Sequence, residues 1–143
     1  MKRFISYLIF YAIQFTWGLL LNVLGIFVVL FMLITLHKPH RFGPSIYFVC
    51  KKAEGFGFEA GVFFVVGADC EDDMGLKCHE AGHGIQNMMF GPLMLFIVSI
   101  PSLIRYWYRE FKYYRKGLEP KTDYDDIWFE GQATRLGFKF YNK

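Results

Sequence analysis

The chain has 143 residues, of which 54% are hydrophobic, 20% aromatic and 20% charged, with a formal net charge of +3. That length fits one domain, and so small and scattered a positive charge argues against a nucleic-acid partner while suiting anionic lipid head groups. With 17 Phe and 9 Tyr, the composition points to a membrane core with interfacial aromatic belts and not to a soluble domain.

Met1-Lys2-Arg3 precedes an uncharged run from Phe4 to Leu36. As a single helix this run would reach roughly 50 Å, well beyond the roughly 30 Å hydrocarbon core. It is too long for the apolar part of a cleaved signal peptide, and no small-residue cleavage site ends it. Gln14, Thr16, Trp17, Gly18 and Asn22 interrupt its middle, so residues 1–36 are expected to form one tilted or broken membrane anchor. Gln14 and Asn22 are expected to act as polar glue between helices. His37-Lys38-Pro39-His40-Arg41 should end the anchor at the interface, with Pro39 stopping the helix. The H-x-x-H of His37 and His40 is not a metal-site expectation, because Pro39 breaks the helical face that it would need.

Ser45 to Cys50 and Gly61 to Ala68 read as strands, with Lys51 to Gly57 as the turn, giving a short β-hairpin over 45–68. Asp69 to Asp73 is an acidic loop containing Cys70. Three cysteines, Cys50, Cys70 and Cys78, are an odd number without a framework spacing, so free thiols are expected.

A helix is then expected from Met74 or Gly75 to Phe90, and it carries Cys78-His79-Glu80-Ala81-Gly82-His83-Gly84, an H-E-x-x-H motif. Positions i and i+4 lie one above the other on a helix, so His79 and His83 can offer imidazole nitrogens to one divalent metal. Glu80 lies about 100° further round, a placement that suits a base acting on water beside the metal. A ligand set drawing on Cys70 and Cys78 is less apt, since Cys78 points elsewhere on the same helix. Gly82 and Gly84 each weaken the helix by up to about 1 kcal/mol relative to alanine. They would let another backbone, a substrate or a neighbouring helix come close.

Gly91-Pro92 should kink the chain, and Leu93 to Ile104 continues as an apolar segment containing Pro101. Arg105 to Lys116 mixes five basic residues with aromatics and reads as an interfacial anchor with snorkelling side chains. After the break at Gly117 to Pro120, Asp123, Asp125 and Asp126 supply capping acids for a last helix from about Asp126 to Leu136, closed by Gly137. There Glu130 shares a face with Ile127, Ala133 and Thr134. A carboxylate on an inward stripe is costly unless paired or metal-bound. Glu130 is therefore a third ligand candidate, the alternatives being a salt bridge to Arg135 or a solvated side chain.

With both pieces in place the chain resembles the gluzincins, zinc peptidases that combine H-E-x-x-H with a glutamate on a later helix. It is more closely similar to small bacterial membrane proteins carrying that motif. The shared features are His83-Gly84-Ile85-Gln86, Gly91-Pro92-Leu93, Ile100-Pro101-Ser102-Leu103-Ile104, Trp17-Gly18 and Leu24-Gly25. The resemblance implies Zn2+ held by His79, His83 and Glu130, with Glu80 as general base. It also implies a strand beside the motif helix to hold extended substrate, for which Gly61 to Ala68 is the candidate. One position departs: the class usually has Asp four residues after the glutamate, to orient a ligand histidine, and this chain has Thr134.

The expected fold is thus an α+β membrane protein with a single zincin-like domain over 1–143. It comprises an N-terminal transmembrane helix, the β-hairpin, the motif helix running into a kinked re-entrant or interfacial apolar helix, and a C-terminal helix, residues 74–143 supplying the metal site. The re-entrant form follows from geometry. A full span between His79 and Glu130 would part them by roughly 30 Å, far beyond the reach of one ion. The expected function is zinc-dependent hydrolysis of an undefined peptide or protein at the bilayer. The alternative is a metal-holding membrane adaptor without turnover. A di-iron oxygenase is excluded because four histidines supply too few ligands. The heavier basic flank of Lys38, Arg41, Lys51 and Lys52, against Lys2 and Arg3, places the site on the cytoplasmic face of the cell membrane.

Overall fold

The computed structural model describes residues 2–141 apart from Ala53, with side chains from Ile5 onward. The side chains of Lys2 and Arg3, on which part of the topology expectation rests, lie outside the described residues. The apolar N-terminal run is broken into α1 (Lys2–Gln14) and α2 (Leu19–Ile34), bent by 93°. No single helix among the described residues is long and apolar enough to cross a membrane. At 16 residues α2 is about 24 Å long, short of a hydrocarbon core. Its outward side chains nevertheless remain uncovered: Phe27, Phe31 and Ile34 are 65%, 64% and 79% exposed.

The break sits where the polar residues are. Gln14 and Asn22, both fully buried, turn inward from either side of it. Gln14 Nε2 donates to Gly84 O (2.7 Å) and Asn22 Nδ2 to Gln14 Oε1 (2.8 Å). Asn87 Nδ2 donates to the same Oε1 (2.6 Å), and Val62 N donates to Asn22 Oδ1 (2.8 Å). The expected polar glue is therefore a network tying the N-terminal bend to the motif helix and the sheet. Such networks are stable only when their members are satisfied.

The sheet has four strands: β1 (Pro39–Phe42), β2 (Ser45–Cys50), β3 (Gly57–Ala60) and β4 (Phe63–Gly67), in the order β1-β2-β4-β3. This corrects the single hairpin over 45–68. Segments 45–50 and 63–67 are neighbours, but they run parallel, with Phe48 opposite Val65. The true hairpins are β1–β2, turning at Gly43, and β3–β4, turning at Gly61. Contrary to the expectation from sequence, Pro39 does not stop the helix: α2 ends at Ile34 with Thr35 as its cap and Leu36 at φ +61°. Pro39 instead opens β1, which is tolerable because β1 is an edge strand. β4 is apolar on both faces because both are covered. Phe64 and Val66 pack with Tyr47 and Ala81 of the motif helix, while Val65 packs with Phe48 and Met32 of α2.

The motif helix is α3 (Met74–Phe90), as its spacing predicted, with Asp73 Oδ1 accepting from Leu76 N at its start. A 3₁₀ turn at Gly91–Leu93 and a π-helical turn at Leu95–Ser99 then lead into α4 (Ile100–Lys112), for a bend of 116°. Gly91 has φ +54°, and a Cβ there would lie 2.3 Å from the Trp17 ring. Neither could be met by a larger residue. Pro101 stands at the junction where the π-helical turn passes into α4.

The last helix, α5, runs Trp128–Tyr141 and is preceded by a 3₁₀ turn at Tyr124–Asp126 with a capping box between Asp123 and Asp126. It starts later than expected and passes straight through Gly137. That glycine is a packing residue and not a terminator: a Cβ there would lie 1.7 Å from Cys78 O, and one at Gly82 would lie 1.9 Å from Ala133 O. α3 and α5 are in backbone contact, and that contact sets the site.

Candidate metal centre

One turn of α3 and the first turn of α5 bring three side chains together. His79 Nε2 and His83 Nε2 are 3.2 Å apart, and Glu130 Oε2 lies 3.2 Å from the first and 3.1 Å from the second. His79, His83 and Glu130 form a buried group that could hold a metal ion. The separations match the roughly 3.3 Å between ligand atoms that 2.0–2.1 Å bonds and a tetrahedral angle would give. Glu130 is 0% exposed, which removes the solvated and Arg135-paired alternatives, and its Oε1 has no hydrogen-bond partner.

The surrounding bonds fix what the three atoms present. Gln86 Nε2 donates to Phe129 O (2.7 Å), so Gln86 Oε1 is the atom that faces His83 Nδ1, at 2.7 Å. His83 therefore carries its proton on Nδ1 and turns a lone pair toward the centre. His79 Nδ1 lies 2.8 Å from Thr134 Oγ1 and 3.8 Å from Asp125 Oδ1. Thr134 thus sits against His79 Nδ1, and the carboxylate of Asp125 approaches from the preceding turn. Burial raises the Glu130 carboxyl pKa, but the neighbouring His79 and His83 outweigh it and hold the group well below the usual carboxylate range. The site brings one carboxylate oxygen and two imidazole nitrogens within 3.2 Å of one another. That arrangement could hold a divalent cation.

Glu80 is 5% exposed and packs on the backbone of Gly57, where a Cβ would lie 2.1 Å from Glu80 Oε1. Its carboxyl is pushed up to about 7, first by burial and further by Glu130, with His83 opposing. A carboxylate poised near neutrality can both take and return a proton.

The strand beside the site is not the one expected. Gly61 to Ala68 contains β4, which is paired on both sides, whereas β3 is an edge strand. β3 reads poorly in sequence because it is four residues long, contains Glu59 and follows the glycine-punctuated turn. Tyr124 was hidden among the capping acids. Its ring lies 6.1 Å from that of His79, and its hydroxyl lies 3.5 Å from Ser102 Oγ. Burial, then Glu130, raises its phenol well above the ordinary value, so it stays protonated. Arg105 Nη2 donates to Asp123 O and Tyr124 O, and Arg109 Nη1 to Thr122 O. Two arginines of the basic-aromatic stretch thereby pin the loop that carries Tyr124.

The other sequence candidates stay outside the centre. Cys50, Cys70 and Cys78 are free thiols. His37 Nδ1 lies 2.9 Å from Thr35 Oγ1, and His40 stacks on Tyr47. No family profile, curated protein or solved structure matches this chain.

Proposed function

We propose that the protein is a membrane-associated zinc metallopeptidase. The observation that carries this reading is the convergence of His79, His83 and Glu130, with the buried carboxyl of Glu80 in the cavity that the two histidines line. An imidazole pair with one carboxylate leaves a fourth tetrahedral position open, the pattern of hydrolytic rather than structural zinc. Zinc bound there would supply a Lewis acid that activates water and polarises a carbonyl. Glu80 takes the proton from the attacking water and returns it to the amine nitrogen as the C–N bond breaks, leaving a carboxylate and an amine. Tyr124, whose ring lies 6.1 Å from that of His79, is the candidate donor to the developing oxyanion. The free edge of β3 offers main-chain groups to an extended substrate.

Membrane association is supported by the uncovered apolar sides of α2 and of the 93–104 segment, where Leu93, Phe96 and Ile104 are exposed. Because Glu130 meets His79, the intervening chain returns to the face it left, consistent with a re-entrant segment. The metal-holding adaptor differs only in lacking turnover. Zinc-loaded protein in detergent, incubated with unfolded protein substrates, should release peptides that the Glu80→Gln variant does not. Zinc binding without cleavage of any substrate would favour the adaptor.

A further inference from the structure

Two cavities meet at the centre and share Gly57, His79, Glu80, Tyr106 and Tyr124 as a common wall. Beyond that wall the inner one is lined mainly by apolar side chains and the outer one by a mixture of acidic, aromatic and apolar ones. The inner one, about 290 Å³, is lined by Leu21, Leu24, Met94, Val98, Leu103 and Trp107, from α2 and the chain after the α3 kink. Its size is near the lower end for small-ligand pockets, room for side chains and not for a folded helix. The outer one, about 710 Å³, carries Glu54, Asp73, Glu110 and Asp125 on its wall and no Lys or Arg. Arg115 Nε is 3.6 Å from Glu110, and Asp73 caps α3, yet the wall as a whole remains acidic. Strand β3 lines the inner cavity from Gly57 to Ala60 and reaches the outer one at Gly57, on the shared wall.

Resting on the peptidase reading, we infer that the substrate is an extended peptide at the junction of an apolar run and a basic run. Its apolar side fills the inner cavity and its basic side lies along the acidic one. The shared wall is where the chemistry sits, so the bond presented to Glu80 is the one at the junction. Clefts lined by one sign of charge concentrate ligands of the opposite sign. A peptide is favoured over a cationic lipid because the free edge of β3 flanks the junction, and only a peptide can pair with it.

The test uses zinc-loaded Glu80→Gln protein in nonionic detergent and labelled peptides with an apolar half and a basic half. The junction peptide should bind about tenfold or more tighter than the same peptide with Glu replacing each Lys. Glu54→Lys with Glu110→Lys, both outside the metal centre, should abolish or invert that preference while zinc stoichiometry is kept. Raising salt from about 0.05 to about 0.5 M should weaken only the basic peptide. Equal binding of both peptides, or of neither, overturns the inference. So does equally tight binding of a cationic alkyl amphiphile, which would assign the groove to lipid. With the parent protein, cleavage within the junction supports it, and cleavage confined elsewhere counts against it. Selective binding without any cleavage would instead defeat the peptidase reading and leave the groove assignment standing.

Discussion

Thr134 Oγ1 lies 2.8 Å from His79 Nδ1, four residues beyond Glu130 on the same helix. A hydroxyl can orient an imidazole, but it adds no charge, and Asp125 at 3.8 Å from the same nitrogen supplies that instead. Partners of ligand histidines typically alter metal affinity by about 10–100-fold. Thr134→Val should therefore weaken zinc binding by about that factor in a chelator competition. An affinity within about twofold of the parent would show that Thr134 does not orient His79.

Metal content follows from the ligand set. Purified protein should carry one zinc per chain, and a His79→Ala, His83→Ala double variant should carry none. Glu130→Ala should lose most of its zinc as well, since it removes the only anionic ligand. Full occupancy in the double variant would place the ion elsewhere.

Glu80→Gln separates binding from chemistry. The amide preserves the shape that packs on Gly57 but cannot accept a proton. Zinc should be retained while peptide hydrolysis falls by about 10²–10⁴-fold. Parent-like turnover in this variant would remove Glu80 from the mechanism.

Glu59, in the cavity that also holds Glu80, gives a pH signature. Burial raises its carboxyl well above its ordinary value of 4.5, with Glu80 adding to the rise and the Gly61 N–H opposing it. The folded state thus holds a proton that the unfolded chain releases near 4.5. That contribution to stability is complete below the unfolded pKa and is lost as pH rises toward the folded one. Melting temperature should fall as pH rises above about 4.5, and Glu59→Gln should flatten the fall. Parallel profiles for parent and variant would assign the dependence to other groups.

Gly137→Ala distinguishes a packing glycine from a helix terminator. As a terminator it would cost at most about 1 kcal/mol. With a Cβ 1.7 Å from Cys78 O, the two helices must move apart, at a cost of about 3 kcal/mol or more. A clear drop in melting temperature together with weaker zinc binding is expected. A change below about 1 kcal/mol would argue against backbone contact between α3 and α5.

The cluster of His79, His83 and Glu130 was legible in the sequence and the sheet was not, for a physical reason. His79 and His83 are related by helical periodicity, which is local, and Asp73 and Gly91-Pro92 mark both ends of that helix. Glu130 was readable because an acid on an apolar stripe needs a partner, although the partner itself was 47 residues away. Strand pairing carries no comparable local signal. The β-branched and aromatic run in Ser45 to Cys50 and the apolar run in Gly61 to Ala68 identified strands, but nothing in either segment states that they run parallel or that Gly57–Ala60 lies at the edge. Gly137 misled because a glycine near a helix end has two uses, and only the position of Cys78 O decides between them.

His83 and Glu130 are 47 positions apart, and the chain between them holds the kink, all of α4 and the Tyr124 loop. One ion bridging them would act as a removable crosslink. By loop-closure entropy, a tie across that interval restricts the unfolded chain by about 4 kcal/mol, comparable to a disulfide. A protein whose three cysteines are all free would then owe its long-range tie to an ion. Its persistence in the folded state would follow the supply of that ion and not the redox state of its surroundings.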